Sequence, residues 1–277
     1  MKILITGSSG FIGKKIIDFL KSDNLIQIIR TTRNQKEVKE DVIFYDIYNI
    51  DFNTNLFDYF NSPDVILHCA WDNVKDVSHK NHLYNQVLFH IKLLDNLIKN
   101  GIKKAVILGT CFEYGKINGE VSESLTVNPI TNYAIAKNLL RIHVESLKEE
   151  YNFILQWIRV FYAYDKTGQT GNNIVHHLKE SLDSKNNVFN MTDGKKELDF
   201  IEINDLCFAI KKIVLQNKIN GIINCCSGKP QSISSLVDKC LNDWNKSISL
   251  NKGYYSHREF EPDYFYGSTI KLKKILK

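Results

Sequence analysis

Proline and methionine are scarce in this chain, four and two respectively among 277 residues. There is no low-complexity linker and no repeat with a period of 20–50 residues. Long apolar runs are also missing. The N-terminal MKILITGSSG turns polar after a few residues, too soon for a signal peptide, and no later run approaches a membrane span. These absences imply a soluble, cytoplasmic protein with no membrane partner. The six cysteines form no Cys-x-x-Cys pair and no Cys/His cluster with zinc spacing, so no metal site is read. Most sit in apolar contexts such as VILHCA and IINCCS, as buried reduced thiols do. A dense basic run is lacking too. Lys+Arg minus Asp+Glu is 36 − 31 = +5, a modest excess spread over short stretches, which argues against nucleic acid.

What is present is alternation. Apolar runs at 2–6, 25–30, 42–45, 64–70, 103–110 and 153–160 read as strands. Helical spacing appears at 11–22, 82–101 and 132–151. Strands without polar alternation, separated by helices, predict a parallel sheet covered on both faces. The fold class is α/β: a doubly wound parallel sheet with a smaller C-terminal lobe. Residues 1–160 form the expected dinucleotide-binding domain. Residues 161–277, richer in Gly, Asn, Asp and Tyr, form mainly a substrate lobe partly interleaved with the sheet.

The first strand runs into Gly7-Ser8-Ser9-Gly10-Phe11-Ile12-Gly13. The first glycine allows a tight turn, the second lets a pyrophosphate approach the backbone, and the third lets helix pack on strand. The helix N-terminus supplies N–H donors and a positive dipole end. Ser9, Phe11 and Ile12 are assigned to the same contact. Arg30 and Arg33, with no acid at the second strand's end, favour NADP(H) over NAD(H). Asp46 is placed to accept from an adenine amino group. Ile47 beside it and Ala70 after the fourth strand complete the cofactor set.

Residues 109–115, GTCFEYG, open from a strand end and offer Thr110, Cys111 and Glu113. Farther on, YAIAK puts Tyr133 and Lys137 four apart on one helical face. A tyrosine is a poor base near neutrality. A neighbouring ammonium favours the phenolate, so the pair reads as an acid/base for hydroxyl protons during hydride transfer.

TGSSGFIG, GTCFEYG and YAIAK, in that order, resemble the extended short-chain dehydrogenase/reductase superfamily, in its nucleotide-sugar epimerase, dehydratase and 4-ketoreductase group. WIRVFYAY, DGKKELDFIEINDL and HREFEPDYFYG extend the similarity over nearly the whole chain. The resemblance implies that Thr110 binds the sugar oxygen, that Tyr133 is the proton donor/acceptor, and that Lys137 tunes it and binds the nicotinamide ribose. It also implies that Arg258 meets the substrate diphosphate, that Asn172 and Asn173 make polar substrate contacts, and that the chain forms a homodimer through the helices over 82–99 and 132–150.

Departures narrow the reaction. Cys111 and Phe112 stand where 4,6-dehydratases carry Asp-Glu. Phe112 stands where 3,5-epimerising reductases carry a cysteine, and Leu198 replaces the usual arginine before Asp199. The expected activity is NADP(H)-dependent 4-reduction of a nucleotide-4-keto-6-deoxysugar for surface-polysaccharide precursors. The alternatives are a 4-epimerase retaining NAD and a dinucleotide-binding redox sensor without turnover.

Overall fold

The computed structural model describes residues 1–49 and 51–277. The chain opens with β1 (Lys2–Thr6), α1 (Phe11–Lys21), β2 (Gln27–Thr32), β3 (Val42–Phe44), a short α2 (Leu56–Tyr59) and β4 (Val65–His68). It continues with α3 (Val87–Lys99), β5 (Lys104–Thr110), β6 (Gly119–Val121), α4 (Asn132–Ser146), β7 (Ile154–Val160) and β8 (Tyr162–Tyr164). Next come α5 (Ile174–Asp183), β9 (Val188–Met191), β10 (Glu197–Glu202), α6 (Ile203–Leu215), β11 (Gly221–Cys225) and β12 (Pro230–Ser232). The last elements are α7 (Ile233–Asp243), β13 (Ser249–Lys252), β14 (Tyr264–Gly267) and α8 (Ile270–Leu276).

Seven strands form one sheet in the order β11-β7-β5-β4-β1-β2-β3. Every pairing in it is parallel. All seven residues of β5 are buried, the signature of a strand covered on both faces. One face packs on α1 and α6 through Ile16, Leu20, Leu206 and Ile210. The other packs on α3 and α4 through Leu93, Leu97, Leu140 and Val144. The chain goes from β1 outward to β2 and β3, then returns to β4 on the other side of β1. The crevice at the carboxyl ends of β1 and β4 is therefore the switch point where such sheets bind ligands. Beyond it stand a second sheet, β12-β10-β14-β6 with β8 paired to β10, and a parallel ribbon of β13 and β9. Among the described residues no helix is long and apolar enough to cross a membrane.

Three of the differences from the expected boundaries reach the ends of long elements. The second strand begins at Gln27, because residues 23–26 close a turn in which Ile26 N donates to Asp23 O. Arg30 thus lies inside β2 rather than at its end. The helix expected over 82–101 opens as a π-helical turn, His82–Gln86, before α3. The one expected over 132–151 ends at Ser146 and tightens into a 3-10 turn, Leu147–Glu149.

Candidate active site

At the switch point the three glycines do different work. A Cβ on Gly7, which has φ +69°, would lie 2.6 Å from Ala70 N, and one on Gly13 would lie 2.0 Å from the Gly7 carbonyl oxygen. Both positions are closed by backbone. A Cβ on Gly10 meets only the Gly7 oxygen, at 3.2 Å, and otherwise points into open space. Gly10 is also the N-cap of α1 and gives the helix no side-chain cap. The first-turn N–H groups are thus left for an outside acceptor, next to a glycine that leaves room for it. These residues fit a dinucleotide pyrophosphate. Ser8 Oγ donates to Thr31 O at 2.8 Å and ties the turn to β2.

A cavity of about 950 Å³ joins this turn to the catalytic candidates. Its walls include Gly7, Gly10, Phe11, Ile12 and Gly13 at one end, and Thr110, Tyr133 and Lys137 beside them. Asn172, Asn173 and Arg258 also line it, and the chain just before Asn172 comes up against Phe11, a Cβ on Gly171 lying 3.3 Å from that ring. Ser9, Arg30, Arg33, Asp46, Ile47 and Ala70 lie outside this lining.

Both arginines assigned to a 2′-phosphate already hold carboxylates. Arg30 reaches Asp41 at 2.6 Å, and Arg33 makes a two-point contact with Asp72 at 3.0 and 3.2 Å. Neither guanidinium is unpaired, so a 2′-phosphate would have to compete with Asp41 and Asp72 for them. Asp46 accepts from Tyr48 N and from Asn49 Nδ2, so its carboxylate is engaged in its own turn. Asn173 caps α5, accepting from Val175 N and His176 N and donating to Ala163 O. Its amide is therefore occupied by the fold, whereas Asn172 is exposed on the rim. Arg258 is mostly exposed, with Nη1 3.3 Å from Glu261 Oε1.

The strand end at β5 is held by a buried ion pair. Glu113 is fully buried and accepts from Thr110 N at 2.8 Å, Trp157 Nε1 at 2.9 Å and Arg159 Nε at 2.9 Å. Thr110 in turn accepts from Phe112 N and caps the following 3-10 turn, closing a capping box with Glu113. The carboxylate is structural and fixes the backbone that carries the Thr110 hydroxyl. The signal for it was legible as Thr-x-x-Glu after a strand, together with an arginine inside the apolar β7. Cys111 is buried, and burial with the charges of Asp199 and Glu113 pushes its thiol far above the usual range. It is no nucleophile.

Tyr133 and Lys137 lie on one face of α4, with the ammonium 6.0 Å from the phenol ring centre. Their titration runs opposite to the pairing argument made from sequence. Burial, then the charges of Glu113 and Cys111, raise Tyr133 above its ordinary value, and the neighbouring Thr110 hydroxyl pulls it back down. Burial lowers Lys137 to about 7, against the opposing pull of Glu113 and Cys69. Desolvation is the largest cause of both shifts. In the protein alone Tyr133 is a neutral phenol, a proton donor rather than a base. Lys137 donates to Leu108 O at 2.8 Å. Leu198 is buried and lines the cavity, so no cation stands at that position of β10. Asp199 beside it accepts from Ser227, Gly228 and Gly267 backbone N–H groups and serves the fold.

Comparison with known proteins agrees with this geometry. Residues 3–226 match the NAD dependent epimerase/dehydratase family. A dTDP-6-deoxy-L-talose 4-dehydrogenase (NAD(+)) of Aggregatibacter actinomycetemcomitans is 30% identical over 94% of this chain and 97% of its own. A GDP-6-deoxy-D-talose 4-dehydrogenase of the same organism is 27% identical, over 100% of this chain and 91% of its own. Among solved structures, UDP-glucuronic acid 4-epimerase from Bacillus cereus, in complex with UDP-glucuronic acid and NAD, superposes with a TM-score of 0.84 at 21% identity. That superposition covers 100% of this chain and 93% of the other. A glycine cradle open only at Gly10, a phenol beside a hydroxyl and a buried lysine, and a match over most of the chain lead to one conclusion: this protein is a member of the NAD dependent epimerase/dehydratase family, an oxidoreductase of the extended short-chain type.

Proposed function

We propose that the protein reduces C4 of a nucleotide-linked 4-keto-6-deoxyhexose to the alcohol, acting as a nucleotide-sugar 4-ketoreductase/4-dehydrogenase. The observation that carries this reading is the neutral Tyr133 phenol facing the cavity beside Thr110, in reach of the glycine turn. A bound nicotinamide supplies the hydride. Thr110 Oγ orients the C4 oxygen, and Tyr133 gives it the proton as charge develops there. Lys137 holds the nicotinamide ribose. In the reverse direction Tyr133 takes the proton back, and a positive charge on the oxidised ring would favour that step. Arg258 and Asn172, both in the cavity lining, are the side chains assigned to the substrate diphosphate. Their use agrees with relatives named for dTDP- and GDP-linked 6-deoxytalose.

The carboxylate partners of Arg30 and Arg33 support NAD(H) rather than NADP(H) as the coenzyme, as does the NAD(+) in the name of the 30%-identical relative. The product class, an activated deoxyhexose, suits a glycosyl donor for surface polysaccharide. Tyr84, Leu88, Leu139 and Ile142 leave apolar side chains exposed on the α3/α4 face, which supports a homodimer through those helices. Sedimentation would test that assembly, a monomer at micromolar concentration counting against it.

The deciding experiment supplies NADH or NADPH with a panel of nucleotide-4-keto-6-deoxysugars. Stoichiometric oxidation of NADH, at a kcat/KM at least about tenfold above NADPH, is the expected result. Interconversion of two 4-hydroxy sugars on a retained dinucleotide, with no net redox change, would establish a 4-epimerase instead.

A further inference from the structure

Trp71 follows β4 and lines the cavity where the catalytic residues meet. Its indole is fixed on every side by specific partners. One face stacks on His90, with ring centres 4.4 Å apart and planes 10° from parallel. Its Nε1 donates to His82 Nδ1 at 3.0 Å. Because His82 Nδ1 accepts, His82 carries its proton on Nε2 and donates to Asp76 O at 2.9 Å. His90 is itself held by His68, which bonds Thr6 Oγ1 on β1. The Lys137 ammonium stands over the same indole, 4.0 Å from the ring centre. Edge-on, the same indole meets the Tyr133 ring at 6.0 Å.

The His82 acceptor satisfies the indole N–H as any buried tryptophan requires, but the ammonium over the ring is not needed for packing. Lys137, in contrast, needs a partner. An ammonium has three donors, and among the described residues Leu108 O is its one hydrogen-bond acceptor. Burial drives the charged form out, and an aromatic face attracts a desolvated cation most strongly when it is indole.

We propose that Trp71 is a positioning residue whose indole face, oriented by His90 and His82, holds the Lys137 ammonium in place for the dinucleotide. The inference rests on the reading of Lys137 as the nicotinamide-ribose contact. It makes Trp71 act through Lys137, and this separates it from a packing role.

The test is a double-mutant cycle on the intact chain, with Trp71→Leu and Lys137→Met alone and together, read by NADH dissociation constant and by urea unfolding without cofactor. Trp71→Leu is expected to weaken NADH binding about tenfold in the native background and less than about twofold when Lys137 is already Met. The unfolding constant should show a coupling of about tenfold between the two positions. Trp71→Phe, which keeps an aromatic face, should retain NADH affinity within about threefold. Should Trp71→Leu not fold, fluorotryptophans placed at position 71 keep the ring's shape while draining its negative face. NADH affinity should then fall stepwise with fluorine count. An equal effect of Trp71→Leu on NADH affinity in both Lys137 backgrounds, or affinity that stays flat across the fluorinated series, overturns the proposal. NADH binding needs no sugar, so a failed sugar assay leaves this test standing.

Discussion

Glu113→Gln changes one atom in a fully buried carboxylate and should be among the most damaging substitutions in the chain. The native carboxylate accepts from Thr110 N, Trp157 Nε1 and Arg159 Nε, and offers no donor. Glutamine keeps the shape but turns one acceptor into an NH₂ that must face another donor. It also leaves the Arg159 guanidinium, 1% exposed and already with Nη1 unpartnered, as a buried cation with no counter-charge. Removing one member of such a pair costs about 3–5 kcal/mol. At about 2–4 °C per kcal/mol for a chain of this order of size, Tm should fall by roughly 6–20 °C. The partner substitution separates pair physics from generic damage. Adding Arg159→Met removes the stranded charge, so the double variant should be more stable than Glu113→Gln alone. Differential scanning calorimetry of the four proteins measures this. Losses that simply add would refute the reasoning.

The same substitution carries a kinetic signature. Glu113 raises both Tyr133 and Lys137, so without its charge both give up protons more readily. The alkaline limb of the pH–rate profile should move to lower pH.

Tyr133→Phe removes the proposed proton donor and should cut turnover at least about 10²-fold while NADH binding stays within about twofold. If neither changes, the protein is not an enzyme of this kind. Gly10→Ala and Gly13→Ala should part company: the first folds normally but loses dinucleotide affinity about tenfold or more, since its methyl enters the pyrophosphate's space. The second drives a Cβ to 2.0 Å from backbone and should destabilise the fold itself, as urea unfolding would show. Lys137→Met gives a pH test. Burial lowers Lys137 to about 7 in the folded protein, against about 10.4 unfolded. Between those values the unfolded chain binds the extra proton, so native stability rises with pH. The Met variant lacks that slope, and its advantage over the native protein should be larger at pH 6 than at pH 9. A difference independent of pH would place Lys137 outside a desolvated site.

The sheet was readable because burial on both faces writes apolar runs, as in AVIL (105–108) of β5 and VIL (65–67) of β4, and because Gly101 and the glycine turn punctuate the chain. The grouping of the candidate residues was readable for the same local reason. Tyr133 and Lys137 share a helical face by spacing alone, and Thr110 ends a strand. What could not be read is pairing between distant segments. Arg33 meets Asp72 across 39 positions, Glu113 meets Arg159 across 46, and Trp71 takes its orientation from His82 and His90. The surroundings of Arg30 and Arg33 belong to the same level. Two arginines near a strand end look free until the fold brings a carboxylate to each.

The reversal at Tyr133 has the same origin and bears on how the site works. Spacing says that an ammonium is near the phenol, and by Coulomb's law alone the phenol should be acidified. The fold adds what spacing omits: both groups are desolvated and share the buried Glu113, whose charge favours the protonated form of each. A phenol held neutral beside Thr110 suits donation to a developing alkoxide, the reductive direction. The oxidative direction needs a nearby positive charge to draw the phenol toward phenolate, and Lys137, itself brought to about 7, supplies it only in part. The direction of proton transfer would then follow the charge on the bound dinucleotide. On the proposed reading, burial keeps Tyr133 protonated until the dinucleotide binds, and the proton step would be tied to hydride transfer.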